Sequence, residues 1–362
     1  MPGLLQRFRP TRRCRFRPGG ADAAVPVPKA SVRRRLAPLA AAYAAALLTA
    51  MPSAAQDAPW PSRPITILGG FPNGAGTDIY ARRLAEPLGR ALGVPVVVDN
   101  RTGAGGNIAS EAVAKARPDG TLFLLATAGT HAINAALYSR LAFDPLRDAT
   151  HIALLGDVPN VVLVSPERRP QFRTCADLLA AARARPGALN YGSTGNGAST
   201  HLAAAQFAAA SGVELTHVPY RGQPGAMAAL LAGDVDVFFN QSGPSIGAVQ
   251  QGQARALAVT TRERLPALPD VPTAAEACGL PGFESSTWYG LLGPPGLPAA
   301  VRDRMNAEVA RVVDAPDFRR WLVETQGVAP PADLSSDAFR RVHEADLRRW
   351  AEIVRASGAK VD

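Results

Sequence analysis

Three stretches of the chain share one design: "FPNGAGTD" (Phe71–Asp78), "NRTGAGGN" (Asn100–Asn107) and "GSTGNGAST" (Gly192–Thr200). Each follows a short apolar run and opens a run with helical spacing. A strand handing over to a helix through such a turn is the repeating unit of open α/β sheets, whose ligands bind at the carboxyl ends of the strands. Glycine lets the backbone turn and come close to a ligand. The helix start beyond it offers unpaired N–H groups and the positive end of the helix dipole. Each such end favours an anion by about 0.3–1 kcal/mol, and by up to ~2 kcal/mol when partly buried. The competing reading is that the loops are caps and turns only; the same placement three times over favours a ligand role.

The rest of the chain repeats this grammar. "ITILGGF" (Ile65–Phe71) reads as a buried strand, and the helix after it has an inner face of Tyr80, Leu84, Leu88 and Leu92, spaced by four. Pro87 within it predicts a kink or a split. "VPVVVDN" (Val94–Asn100) and "TLFLLATAGTH" (Thr121–His131) are the next strands. "NVVLVS", "LNYGS", "LTHVPY", "VDVFFN" and "ALAVTT" read as further strands, with helices between them. One of those helices is capped by Thr174. From Pro298 onward the chain reads as largely helical. Apolar strands alternating with helices predict an α/β fold with mainly parallel sheets.

Charge excludes one class of partner. The net charge is +9, but ten of the 39 Lys and Arg and only one of the 30 Asp and Glu lie in residues 1–55, leaving 29 of each beyond. The body is neutral, so no footprint for nucleic acid remains. The leader itself reads as an export signal. Arg33–Arg35 form its basic part, Leu36–Ala50 its apolar part, and Ser53 and Ala55 its cleavage site. The apolar part is short and rich in alanine, which favours a cleaved signal over a permanent anchor. The stretch before Ser31 is long for such a signal and suggests an over-extended start, with Val27 or Val32 as alternative initiators. Arg33–Arg34 leave a twin-arginine route open. Cys175 and Cys278 remain beyond the leader, either as a disulfide or as two small buried hydrophobes. The five histidines are too dispersed for a metal site.

The loops do not fit nucleotides. Where the dinucleotide fingerprint needs a third glycine, the chain has Ile79, Ile108 and Thr200, and no phosphate-loop motif with Gly-Lys-Ser/Thr occurs. A serine hydrolase built on Ser193 or Ser199 is the alternative in another class. Ser193 sits in Tyr-Gly-Ser-Thr-Gly, one residue out of frame for a nucleophile elbow, and Ser199 and His201 at a helix start do not face each other. His201 is expected to order the loop or to contact ligand.

Six blocks in order, "PITILGGFPNGAGTD", "VVVDNRTGAGGNIASEAVAKARPDGTLFLLAT", "LNYGSTGNGASTHLAAAQF", "HVPYRGQPGAMAALLAGDVDVFF", "RALAVTTRERLPALPDVPTAAEA" and "WYGLLGPPGLP", resemble the tripartite tricarboxylate transporter solute receptors, also called Bug proteins. The resemblance runs from Trp60 to the C-terminus. It implies a periplasmic, non-enzymatic receptor with a two-domain periplasmic-binding-protein fold (type II-like). Residues 56–158 and 285–362 would form one domain and residues 159–284 the other, with the ligand cleft between them. It further implies a monomer without cofactor that grips a small carboxylate by backbone amides and hydroxyls and delivers it to a two-subunit membrane permease; some family members act in sensing instead. Carried onto this chain, the first wall is Phe71, Asn73, Gly74, Ala75, Gly76, Thr77 and Asp78, with Thr127 and Thr130 at the end of the third strand. Asp78 is expected to brace the helix start or to accept from a donor group of the ligand, since it would repel a carboxylate. The second wall is Ser193, Thr194, Asn196, Ala198, Ser199 and His201, with Tyr220 and Asn240. Two departures stand out. Ala198 replaces the usual hydroxyl residue, and Asn240–Gln241 replace the usual Asp-Asn, which removes a negative charge and turns selectivity away from ligands with an amino group.

Overall fold

The computed structural model describes residues 60–357, 360 and 361; the expected leader, residues 1–55, lies outside them. Strand β1 (Ile65–Gly69) runs through the first glycine-rich loop into α1 (Gly76–Leu92). Next, β2 (Val96–Asn100) runs through the second into α2 (Asn107–Ala114). Strand β3 (Leu122–Thr127) leads into a wide π-type turn (Gly129–Ile133) and a short α3 (Asn134–Leu137). The long β4 (Thr150–Val164) is followed by α4 (Cys175–Ala184), β5 (Asn190–Ser193), α5 (Ser199–Ser211) and β6 (Thr216–Pro219). Then come α6 (Gln223–Ala232), β7 (Val237–Gln241), α7 (Ser242–Gln250), β8 (Arg255–Val259) and α8 (Ala274–Cys278). Strand β9 (Ser286–Gly293) precedes α9 (Ala299–Asp314), α10 (Pro316–Arg320) and α11 (Ser336–Ser357). Among the described residues no helix is long and apolar enough to cross a membrane.

The strands form one continuous path, β2-β1-β3-β9-β4-β7-β5-β6, with β8 also on β4. The expectation of mainly parallel sheets holds only at the two ends. There β1 pairs in parallel with β2 and β3, and β5 in parallel with β6 and β7. The middle is antiparallel, in the pairs β3–β9, β4–β9, β4–β7 and β4–β8. The reason is topological. The chain leaves the first half-sheet along β4 and comes back along β9, and neighbouring outward and return strands must run in opposite senses. Strand–helix alternation carries no sign of such a return, and β9 and the first part of β4 were not among the expected strands.

Alternation along each strand builds four cores, two per half-sheet. Ile65, Ile67, Phe123 and Leu291 face α1 and α9, while Leu68, Leu124, Trp288 and Leu292 face α2 and α11. In the second half-sheet Val162, Val237 and Phe239 pack on α4 and α5, and Val161, Leu163 and Phe238 pack on α6 and α7. The predicted inner face of α1 is realised: Tyr80, Leu84, Leu88 and Leu92 are all buried. Pro87 does not split α1, which continues through it. Thr174 caps α4, in a reciprocal box with Asp177. Cys175 and Cys278 are joined as a disulfide between α4 and α8, which settles the alternative left open by the sequence. Strand β3 stops at Thr127, so Thr130 and His131 belong to the turn and not to the strand.

Candidate functional site

Helices α1 and α5 begin in the same way. Their N-cap residues are Ala75 and Ala198, and neither has a side chain that can accept from the first turn. In α1 the first turn-closing bond is from Ile79 N to Ala75 O, and in α5 from Leu202 N to Ala198 O. Among the described residues the backbone N–H groups of Thr77 and Asp78, and of Ser199, Thr200 and His201, meet no protein acceptor. Serine, threonine, aspartate or asparagine normally fills that role, at a gain of about 1 kcal/mol. Two helices from opposite half-sheets forgo it on the same cavity.

That cavity has a volume of about 180 Å³. The first half-sheet contributes Phe71, Ala75, Thr77, Gly105, Thr127, Gly129, Asn134 and Tyr138; the second contributes Thr194, Gly195, Asn196, Ala198, Ser199, Gln223 and Gln241. No acidic or basic side chain is in this lining. Thr77 Oγ1 is buried and has no partner. Gly76 N donates to Gln223 Oε1 (3.2 Å), tying the start of α1 to the start of α6. Gln223 Nε2 donates in turn to Asn240 Oδ1. Tyr289 donates its hydroxyl to Gln241 Oε1 (2.6 Å).

Several expected site residues shape the wall from behind. Asp78 is buried. It accepts from Gly74 N (2.9 Å), Arg82 Nε (2.8 Å) and Asn100 Nδ2 (2.6 Å), so its charge is spent on holding the first loop. Asn73 accepts from the same Asn100 amide and, like Gly74, is exposed. Thr127 and Thr130 lock the turn reciprocally, each backbone N–H donating to the other's hydroxyl at 3.1 Å; only Thr127 reaches the cavity. Gly76, Ser193, His201, Tyr220 and Asn240 also lie outside the lining. His201 Nδ1 accepts from Gly197 N (2.9 Å) and so orders the third loop. Its ring stacks on His217 with centroids 3.9 Å apart, and His217 stacks on Tyr191. Burial holds His201 and His217 at about 4, which keeps both neutral. Tyr220 is half-buried against the core between β4, α6 and α7.

Ser193 Oγ lies 2.6 Å from His217 Nε2, a pair the sequence separates by 24 residues. The serine is fully buried, and its hydroxyl also contacts Gly195 O (3.1 Å) and Gly195 N (3.2 Å). Neither Ser193 nor His217 borders the cavity, so the pair is a brace under the loop.

Seven lining residues were absent from the expected set: Gly105, Gly129, Asn134, Tyr138, Gly195, Gln223 and Gln241. The second glycine-rich loop pointed to Gly105, and Gln241 was conspicuous only as a departure. Asn134 and Tyr138 sit on α3 and just past it, in a stretch with no strand–loop–helix signal.

The model of the tripartite tricarboxylate transporter family receptor matches residues 80–359. The chain belongs to this receptor family. Relatives of the receptor include a protein from the tcbD–tcbE intergenic region of a Pseudomonas species, 39% identical over 87% of this chain and 92% of the relative. BugT of Bordetella pertussis is 33% identical over 83% of this chain and 91% of its own. Among solved structures, Rhodopseudomonas palustris MatC with bound malate is 32% identical with a TM-score of 0.75, covering 82% of this chain and 100% of that one. A second R. palustris protein, solved with adipate, is 35% identical with a TM-score of 0.79 over 83% and 100%. The receptor thus shares the mixed α/β fold of periplasmic binding proteins.

Proposed function

We propose that this receptor captures a small organic acid between two lobes, residues 56–158 with 285–362 and residues 159–284, and hands it to the membrane permease of a tripartite tricarboxylate-type transporter. It works in the periplasm as a monomer, after export by the leader, and catalyses no reaction. The observation that carries this reading is the pair of helix starts, α1 and α5, left without side-chain caps on one cavity that has no ionised side chain in its lining. Their free N–H groups and the hydroxyls of Thr77, Thr194 and Ser199 suit a carboxylate. Micromolar capture needs about 8.2 kcal/mol, within reach of two helix ends, hydrogen bonds and apolar contacts. Release breaks no buried ion pair. Malate and adipate in the related structures are acids of this kind.

A thermal-shift panel of organic acids tests the proposal. One or more acids should raise the melting temperature in proportion to the logarithm of concentration, without turnover of ester or amide substrates. A melting temperature indifferent to every acid would refute it.

A further inference from the structure

The cavity lining has two polar corners that share no hydrogen bond. At the first, around Thr77, Gln223 and Gln241, the groups left over are mainly donors: the Thr77 N–H, the second amide hydrogen of Gln223 and the Thr77 hydroxyl, which can also accept. At the second corner the balance is reversed. Asn134 spends both amide hydrogens on the protein, one on Gly105 O (3.1 Å) and one on Asn107 Oδ1 (2.6 Å). A backbone carbonyl only accepts, so the amide orientation is settled, and what Asn134 has left to offer is the acceptor Oδ1. Tyr138 stands beside it. A Cβ on Gly105, whose φ is 62°, would come within 2.9 Å of the Tyr138 hydroxyl, so glycine is what admits the phenol to this wall. Among the described residues that hydroxyl has no protein partner, and its ring is half-buried. Burial raises its pKa, so it stays a neutral donor–acceptor.

We propose that the corner formed by Asn134 and Tyr138 selects a neutral hydroxyl on the ligand, so that the preferred substrate class is a hydroxy-monocarboxylate and not a diacid of the same length. This deepens the proposed receptor function and rests on it. A hydroxyl donates to Asn134 Oδ1 and accepts from Tyr138. A second carboxylate also accepts from Tyr138, but it sets a full negative charge against the Asn134 oxygen, with no cation in the lining to offset it.

Calorimetry at pH 7.5 with length-matched pairs tests this: 4-hydroxybutyrate against succinate, 5-hydroxypentanoate against glutarate, and 6-hydroxyhexanoate against adipate. The hydroxy acid of the best-fitting pair should bind at least about tenfold more tightly than its diacid. A diacid binding as tightly as its partner in that pair, or no binding by any of the six while another acid of the panel binds, overturns the inference and leaves the receptor reading standing; no binding by any acid overturns both. Tyr138→Phe keeps the ring and removes the hydroxyl. It should weaken the hydroxy acid by about fivefold or more and change the unsubstituted alkanoate of the same length less than about twofold. Equal losses for both ligands would mean that Tyr138 only supports the wall, and the assignment would fall.

Discussion

Acidification from pH 7 to pH 5 should cost this protein a large part of its stability. Behind the π-type turn, His131, His151 and His343 are buried together. His343 donates from Nε2 to His131 O (2.8 Å), so its Nδ1 is an acceptor, and it takes the Nε2 proton of His151 at 2.9 Å. Phe143, Phe339 and Trp288 pack around the rings. Burial pushes His151 down to about 3 and His131 well below the usual imidazole range; His343 is lowered too, by burial above all, although Asp346 and Glu344 pull it upward. A base depressed in the folded state takes up its proton first in the unfolded chain. Stability therefore falls as pH drops below about 6.5 and levels off only below the folded value. At pH 5 an unfolded histidine is almost fully charged and a buried one of this kind is not, so each contributes a loss of about 2 kcal/mol relative to pH 7. His151 loses about 2 kcal/mol on this reckoning, and His131 adds to the loss in the same direction. His201 and His217, at about 4, add a loss in the same direction, smaller than that of the fully buried imidazoles because solvent screens them in part. Against a total of about 5–15 kcal/mol for a folded protein this is severe. Carboxyls held low, such as Asp119 and Asp144, lose their share only below the ordinary carboxylate range, outside this window. Urea unfolding followed by tryptophan fluorescence at pH 7, 6 and 5 measures the effect. A stability that stays within about 0.5 kcal/mol from pH 7 to 5 would show that these imidazoles are not held neutral, and the reasoning would fail.

Three further outcomes follow from the structure. A Cβ at Gly197, whose φ is 71°, would clash with the Leu137 side chain, where the third loop meets α3; Gly197→Ala should displace that loop and weaken acid binding about tenfold or more, and Leu137→Ala in the same chain should recover part of it in calorimetry. Replacing Cys175 and Cys278 by serine opens a crosslink 103 residues apart in sequence, and the urea midpoint should drop by the equivalent of about 2–5 kcal/mol. Asn240→Asp keeps the acceptor for Gln223 and removes an amide nitrogen that has no partner, but adds a charge behind an anion site; a thermal-shift panel should show weaker effects for simple acids and a relative gain for amino acids, and an unchanged ranking would count against it.

Much of this was legible in the residues. Tyr80, Leu84, Leu88 and Leu92 announce α1 through spacing alone, because a helix buries what recurs on one side. Thr174 signals its cap because capping is a contact across a single turn. The glycine-rich loops place Phe71, Ala75, Thr77, Thr194, Asn196, Ala198 and Ser199 on the cavity, since strand–loop–helix order is enough to put them at strand ends. What was not legible depends on how distant segments meet. Asn134 and Tyr138 reach the cavity through a π-type turn that a run of apolar residues does not foretell. Gln223 becomes a wall residue only because the start of α6 comes to lie against the start of α1, 147 residues away. Strand β9 reads locally as one more apolar stretch, and its direction is set by the return path of the chain.

That return path has its own consequence. Pro159 and Ser286 face each other across β4 and β9, so the chain departs for the second half-sheet and arrives back at adjacent points. Everything between them is a cassette whose two ends already meet. Exchanging that cassette between relatives would replace Ser199, Gln223 and Gln241 together and leave the course of the remaining strands alone, so new ligand preferences can arise by transplantation as well as by point substitution.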